Sequence, residues 1–262
     1  MKDYQNIEIL LSSAKRLAKE AGSLILREKL KGIRVIRKEK KELVTHLDLI
    51  VQNFLIDSLK KEFKDIPIFS EEQRIQKSHE NNYWSIDPID GTHNFIAGLK
   101  SYGISIAYIE NGEVLVGVIY LPESNELYYA YKDGGSFCNG RRIRCSEISD
   151  IEKSIISYDN QFYLNHKSVN LFQRLVESTF TVRISGCSVV DASCVGEGFL
   201  SARIYNSTKL CDVAAGILLV TESGGIASTF SGERVDLNNL SNLIISGKNI
   251  HEDLVDICNK SL

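Results

Sequence analysis

The middle of the chain alternates apolar residues with smaller or polar ones, which is the pattern of extended strands. Residues 103–109, 114–121 and 127–131 read as strands, and Asn111-Gly112 supplies the turn dipeptide of a tight hairpin between the first two. Successive side chains of a strand point to opposite faces of a sheet, so this period favours strands over helices. The segment therefore predicts an antiparallel meander.

Amphipathic helices precede the meander, and short strands alternate with helices after it. Residues 4–30 and 48–63 each place apolar side chains on one helical face. From about residue 153 the pattern predicts strands 154–158, 181–184, 198–205, 226–228 and 243–246, and helices 167–177, 188–195, 212–222 and 250–258. We expect one domain over residues 1–262, with an α+β half (1–150) followed by an α/β half (151–262).

Composition excludes several classes of protein. The chain has 262 residues, with 31 basic and 34 acidic side chains and a net charge of −3, so no excess of positive charge favours nucleic acid or anionic lipid. No apolar run is long enough for a membrane span, and the N-terminus lacks a signal-peptide pattern, which predicts a cytoplasmic protein. The six cysteines form no C-x-x-C pair and the five histidines are scattered, so any metal is expected to have oxygen ligands.

Acidic residues follow a short apolar run in the first half. Trp84-Ser85-Ile86 reads as a buried strand that delivers Asp87-Pro88-Ile89-Asp90-Gly91-Thr92 at its end. Two carboxylates that converge repel each other, and a hard divalent cation held between them removes the conflict. The alternative is a capping turn, in which Asp90 accepts from free backbone amides at a helix start. The spacing of the two acids leaves both interpretations open.

Three further acidic segments stand beside apolar runs. Glu71-Glu72 follows residues 66–68, Asp212 begins a helix, and Asp48 comes at the start of another helix after Glu42. Taken one at a time, each is most often a helix cap or a surface charge.

Taken together, these segments resemble the inositol monophosphatase family of magnesium-dependent, lithium-sensitive phosphatases. Residues 84–95 look like its first signature, and residues 212–225 look like its second. Glu71-Glu72 resembles the upstream Gly-Glu-Glu element, and residues 44–48 its Val-Thr-x-x-Asp element. The resemblance implies a layered αβαβα sugar-phosphatase fold, usually a homodimer, and a phosphoric monoester hydrolase with two to three Mg²⁺ ions per site, for which Mn²⁺ can substitute.

The resemblance also implies roles for individual residues. It assigns the metal ligands to Glu71, Asp87, the backbone carbonyl of Ile89, Asp90 and Asp212. The amides of Gly91 and Thr92 would bind phosphate at a helix N-terminus. Thr92 and Asp48 would position and deprotonate the attacking water, with Glu72 in the surrounding shell.

The alcohol side of the substrate is less constrained. Tyr205 stands seven residues before Asp212, where inositol phosphatases usually carry a Glu that contacts sugar hydroxyls. Gly186, Cys187 and Ser188 fall in the segment that would line the same pocket, next to Asp90, Gly91, Thr92 and Asp212. We therefore expect a small phosphate ester, most simply inositol 1-phosphate or a related polyol or sugar phosphate.

Other functions are compatible with the same fold. A nucleotide 3′-phosphatase usually has Lys-Glu-Phe after Asp-Gly-Thr, whereas this chain has His93-Asn94-Phe95, which favours the inositol branch; fructose 1,6-bisphosphate is a further candidate substrate. Some bacterial members of the family associate with transcription machinery, and the basic residues within 34–41 and 141–144 could serve such a role. The overall acidity argues against it.

Overall fold

The computed structural model of the chain describes residues 4–37, 43–71, 81–159 and 167–260. Its helices are α1 Tyr4–Glu28, α2 His46–Glu62, α3 Thr92–Ile96, α4 Lys167–Ser178, α5 Ser188–Gly196, α6 Leu210–Glu222 and α7 His251–Asn259. Its strands are β1 Val35–Arg37, β2 Leu43–Thr45, β3 Ile68–Ser70, β4 Asn82–Asp90, β5 Gly103–Glu110, β6 Glu113–Leu121, β7 Glu126–Tyr131, β8 Gly135–Cys138, β9 Arg141–Arg142, β10 Ile155–Ser157, β11 Thr181–Arg183, β12 Ala202–Tyr205, β13 Gly225–Ser228 and β14 Leu243–Gly247.

The larger sheet contains the predicted meander. Its strand order is β3-β4-β5-β6-β7-β8-β9, in which β3 runs parallel to β4 and the following neighbours are antiparallel. Asn111, at the β5–β6 turn, has a φ of 52°, in the left-handed region that Asn tolerates better than most residues. The meander prediction is confirmed.

The smaller sheet is built from the second half of the chain. Its order is β11-β10-β12-β14-β13, with β10 parallel to both β11 and β12, and β14 antiparallel to both of its neighbours. The parallel strands are joined through α4 and α5, as the alternation of strands and helices predicts.

Alternate residues of a strand face opposite sides of its sheet, so each sheet has a hydrophobic core on both faces. Ile104 and Ile106 of β5 pack with α1 and α2, whereas Ala107 and Ile109 belong to a core shared with α5 and α6. Ile245 of β14 lies in that same central core, and its neighbour Ile244 packs on the other side of the smaller sheet with residues of α4 and α7. The order of layers is helices, large sheet, helices, small sheet, helices, which confirms the αβαβα fold.

No helix in the described ranges combines the length and the apolar character that crossing a bilayer requires.

Candidate active site

The acidic segment after Trp84 is the last part of β4 rather than a separate turn. Asp87 pairs with Ser105 of β5 and Asp90 pairs with Gly103, so three steps along β4 match two steps along β5. In a regular strand, residues three apart point to opposite faces, and the extra residue of a bulge places both on the same face. The bulge therefore brings the carboxylates of Asp87 and Asp90 to one side of the sheet.

Asp90 is already engaged by α5. Its Oδ2 accepts a hydrogen bond of 2.6 Å from the backbone amide of Val189 and one of 3.1 Å from Sγ of Cys187. Val189 is in the first turn of α5, where backbone amides lack helical acceptors. The capping interpretation of Asp90 is thus realised, but on α5 and not on the helix that follows Asp90.

The turn into α3 requires glycine at position 91. Gly91 has a φ of 85°, in the left-handed region, and caps α3. A Cβ atom there would lie 3.0 Å from the carbonyl oxygen of Ser101 and 3.1 Å from Cβ of Cys187. Both the backbone conformation and the close packing therefore disfavour a residue with a side chain at position 91.

Asp48 uses its two carboxylate oxygens for different contacts. Oδ2 accepts hydrogen bonds from the amide and hydroxyl of Thr45, at 2.8 and 2.5 Å, which forms a capping box at the start of α2. Oδ1 lies 3.3 Å from Oγ1 of Thr92, which is also 3.0 Å from the carbonyl oxygen of Ile89. Asp48 is 1% exposed, and burial raises the pKa of its carboxyl group to about 6. Asp48 is therefore a helix cap and also contacts Thr92.

The remaining acids share one electrostatic environment. Burial raises the pKa of Asp87 well above its usual value, and the charges of Glu71, Asp90 and Asp212 raise it further. Burial also raises the pKa of Asp212, and the charges of Glu71 and Asp90 raise it further. Lys209 donates a hydrogen bond of 3.3 Å to Oε1 of Glu71. The structure thus brings four predicted ligands close enough to repel one another: Glu71 directly after β3, Asp87 and Asp90 of β4, and Asp212 of α6.

The donor set fits a hard divalent cation by its chemistry, because carboxylates that repel one another are stabilised when they share a cation that prefers oxygen ligands. As they stand, no three His, Cys, Asp or Glu side chains in the described part of the chain are arranged to hold a metal ion. The hydrogen bonds explain the orientation: Asp90 is turned toward α5, and Asp212 Oδ1 accepts from Sγ of Cys211 at 3.1 Å. We expect these side chains to rotate when a cation binds.

The predicted alcohol-binding residues are placed differently from one another. Gly186 is exposed, Ser188 is half-buried as the first residue of α5, and Cys187 is buried against Asp90. Tyr205 is 1% exposed and faces the central core, with the guanidinium of Arg203 4.5 Å from its ring centroid. The structure therefore does not place Tyr205 on an exposed surface where it could line the predicted alcohol pocket. Glu72 lies outside the described residues.

Some residues at the site were not singled out from the sequence. Asn94 is buried, and its Nδ2 donates to the carbonyl oxygens of Ser101 at 2.8 Å and Ser185 at 2.9 Å, which ties α3 to the segment before α5. Lys209 contacts Glu71 from a position three residues before Asp212. Asn94 lies in α3 directly after the polar residues Thr92 and His93, so its local sequence does not single it out. The contacts of Asn94 and Lys209 both depend on tertiary structure.

Comparison with known proteins decides the family. The model of the inositol monophosphatase family matches residues 6–262. The chain belongs to the inositol monophosphatase family. It is 36% identical to a protein from Thermotoga maritima named fructose-1,6-bisphosphatase/inositol-1-monophosphatase, over 84% of each chain. It is 31% identical to Nus factor SuhB of Escherichia coli, over 85% of this chain and 86% of that one.

A solved structure supports both the fold and the class of enzyme. The crystal structure of an IMPase/NADP phosphatase complexed with Mg²⁺ and phosphate has a TM-score of 0.85 and 26% identity, covering 97% of this chain and 95% of that one. A fold match of this extent agrees with the layer order described above. This member of the inositol monophosphatase family is therefore a phosphatase, as the sequence predicts.

Proposed function

We propose that this phosphatase hydrolyses a small phosphate monoester in a reaction that requires Mg²⁺. The carrying observation is that Glu71, Asp90 and Asp212 lie around the buried Asp87: burial raises the pKa of Asp87, and the charges of these three acids raise it further. Such a set of acids is unfavourable by itself and becomes favourable around a cation. The Mg²⁺ and phosphate bound by the IMPase/NADP phosphatase support the same proposal.

Each group of residues has a distinct part in the proposed reaction. Glu71, Asp87, Asp90, Asp212 and the carbonyl of Ile89 would hold the ions. When bound, Mg²⁺ supplies charge neutralisation for the phosphate and increases the acidity of water.

The chain's own residues would then handle water and phosphate. Thr92 can donate its single hydroxyl proton to Asp48 and accept a hydrogen bond from the attacking water. Asp48, with a pKa near 6, is suited to take up the water proton near neutral pH. The amides of Gly91 and Thr92 would bind the phosphate oxygens. As the water oxygen bonds to phosphorus, the bond from phosphorus to the ester oxygen breaks, and the leaving oxygen takes up a proton from solvent while Asp48 later returns its proton to solvent. The products are inorganic phosphate and the free alcohol.

The test is phosphate release from metal-free protein, first without and then with added MgCl₂. We expect turnover of phosphate monoesters with Mg²⁺ or Mn²⁺, loss of turnover in excess chelator, and recovery when Mg²⁺ exceeds the chelator. A phosphodiester provides the matched control and should release no phosphate. Full activity in excess chelator would contradict the proposal.

We propose inositol 1-phosphate or a related polyol or sugar phosphate as the substrate, with weak selectivity. Tyr205 is uncharged and buried, so it lacks the carboxylate that would accept bonds from two hydroxyl groups. The values of kcat/KM for inositol 1-phosphate, glycerol 2-phosphate, fructose 1,6-bisphosphate and a nucleotide monophosphate should differ by less than about 100-fold. The fructose ester is included because the Thermotoga relative carries that name.

A matched variant tests the placement of Tyr205. Its hydroxyl has no hydrogen-bond partner among the described residues, so Tyr205→Phe should leave the ratios between substrates unchanged. An overwhelming preference for inositol 1-phosphate, or altered ratios in Tyr205→Phe, would show that residue 205 or another group reads the alcohol.

A regulatory role is the second candidate, because one relative is named Nus factor SuhB. Of the predicted basic residues, those at 38–41 lie outside the described part of the chain, and Arg141 is paired with Glu197. Partner binding that persists in variants of the metal carboxylates would favour this role. We also propose a homodimer, which the family resemblance implies.

A further inference from the structure

A buried hydroxyl group lies beside the acidic cluster without a hydrogen-bond partner. Ser105 of β5 is 1% exposed, and its Oγ has no partner among the described residues. Buried polar groups are nearly always hydrogen-bonded, because an unpaired one loses its bond to water without replacement. The hydrogen-bond partner of the buried Ser105 hydroxyl is therefore missing from the present arrangement of the described side chains.

The register of the sheet places Ser105 directly opposite Asp87. The two residues are cross-strand partners in the antiparallel β4–β5 pair, so their side chains lie on the same face with Cβ atoms about 5 Å apart. On its other side Ser105 pairs with Ile119 of β6, which offers no polar side chain. Of the two cross-strand partners of Ser105, Asp87 is therefore the one with a polar side chain.

The face is also the one that carries the proposed metal site. Ala107 of β5 belongs to the central core with residues of α5 and α6, and it has the same strand parity as Ser105. A Cβ atom at Gly103, also of this parity, would lie 2.9 Å from Cγ2 of Val189 in α5. The Ser105 hydroxyl therefore lies in the layer between the sheet and these two helices, where α6 begins near Asp212.

The Asp87 carboxylate has unused acceptor capacity. Among the described residues its side chain accepts one hydrogen bond, of 3.0 Å, from the amide of Ile89 to Oδ1. A carboxylate has about four acceptor positions on its two oxygens, so Oδ2 can accept from Ser105 while Oδ1 remains bound to Ile89.

We infer that Ser105 is a positioning residue that donates a hydrogen bond to the carboxylate of Asp87 when this carboxylate binds a cation. The bond would fix the orientation of Asp87 and stabilise its charged form, as groups behind metal ligands commonly do. This inference rests on the proposed function, because it assumes that Asp87 is a metal ligand.

The experiment measures Mg²⁺ binding directly, by calorimetric titration of metal-free protein with MgCl₂. We expect Ser105→Ala to weaken Mg²⁺ binding by about 10- to 100-fold. Ser193→Ala is the matched control: Ser193 is fully buried and its Oγ also lacks a partner in the described ranges, but it lies in helix α5, so no strand register places it opposite Asp87. It should bind Mg²⁺ as the unaltered protein does.

Thermal unfolding of the same variants separates positioning from a structural role. The metal-free Ser105→Ala protein should have a Tm equal to or above that of the unaltered protein, since removing an unpaired buried hydroxyl costs nothing. The rise in Tm on adding Mg²⁺ should be smaller in this variant. An unchanged dissociation constant, or a lower metal-free Tm, would overturn the inference. Failure of the unaltered protein itself to bind Mg²⁺ would instead refute the proposed function.

Discussion

Asp212→Asn is expected to lower phosphate release at saturating Mg²⁺ by roughly 1000-fold or more, because it removes one charged ligand of the proposed ions. The same change should not destabilise metal-free protein. Glu71 and Asp90 repel the Asp212 carboxylate, and a neutral amide of the same shape removes that repulsion. We therefore expect Asp212→Asn to lower the rate of phosphate release and to raise the Tm of the metal-free protein. Asp90→Asn should show a similar loss of activity.

A surface variant provides the comparison. Asp253 is an exposed residue in the first turn of α7, and Asp253→Asn should leave turnover and Mg²⁺ binding unchanged. Activity of Asp212→Asn within tenfold of the unaltered protein would exclude Asp212 as an essential ligand. A large fall in metal-free Tm would show that the lost activity comes from damage to α6.

Thr92→Ala and Asp48→Asn are each expected to lower kcat by about 10²- to 10⁴-fold, with little change in KM. The contact of 3.3 Å between Thr92 Oγ1 and Asp48 Oδ1 is the basis for this expectation. Because the two residues act as one unit, the double variant should be no worse than the poorer single variant. Steady-state kinetics on one phosphate ester measures all three.

Asp48 also caps α2, so a control must remove the cap alone. Thr45→Ala eliminates the hydroxyl that bonds Asp48 Oδ2 and leaves the Thr92 contact on Oδ1 in place. It should reduce the free energy of unfolding by about 1 kcal/mol with kcat nearly unchanged. If Thr45→Ala lowers kcat as much as Asp48→Asn does, Asp48 serves only as the cap. Losses that multiply in the double variant would likewise exclude the relay.

The long helices and strands could be predicted from the sequence because each repeats its apolar residues with its own period, whereas the short strands β1, β2, β8 and β9 were not predicted. The first and last residues of an element were harder to predict where a glycine permits an unusual turn. The predicted strand 198–205 begins instead at Ala202, since Gly198 has a φ of 82° and the amide of Phe199 bonds back to Cys194 of α5. These contacts end α5, and the strand begins only after them, at Ala202.

The site could be predicted only as far as its residue types. Pro88 is compatible with a bulge, because proline cannot donate to a strand ladder, but the strand opposite decides where the bulge falls. The hydrogen bond from the Val189 amide to Asp90 and the pairing of Ser105 with Asp87 also join segments that are distant in sequence. The metal ligands therefore remain predictions drawn from the pattern of acids, while their surroundings are structural findings.

The double engagement of Asp90 has a consequence for how ligands affect one another. If this carboxylate turns toward a cation, the amide of Val189 and the thiol of Cys187 lose or share their acceptor, and the first turn of α5 must readjust. Cys187 and Ser188 belong to the predicted alcohol pocket. Cation affinity and alcohol affinity are then thermodynamically coupled through α5, and the coupling is reciprocal: whatever the alcohol does to Mg²⁺ affinity, Mg²⁺ does equally to the affinity for the alcohol.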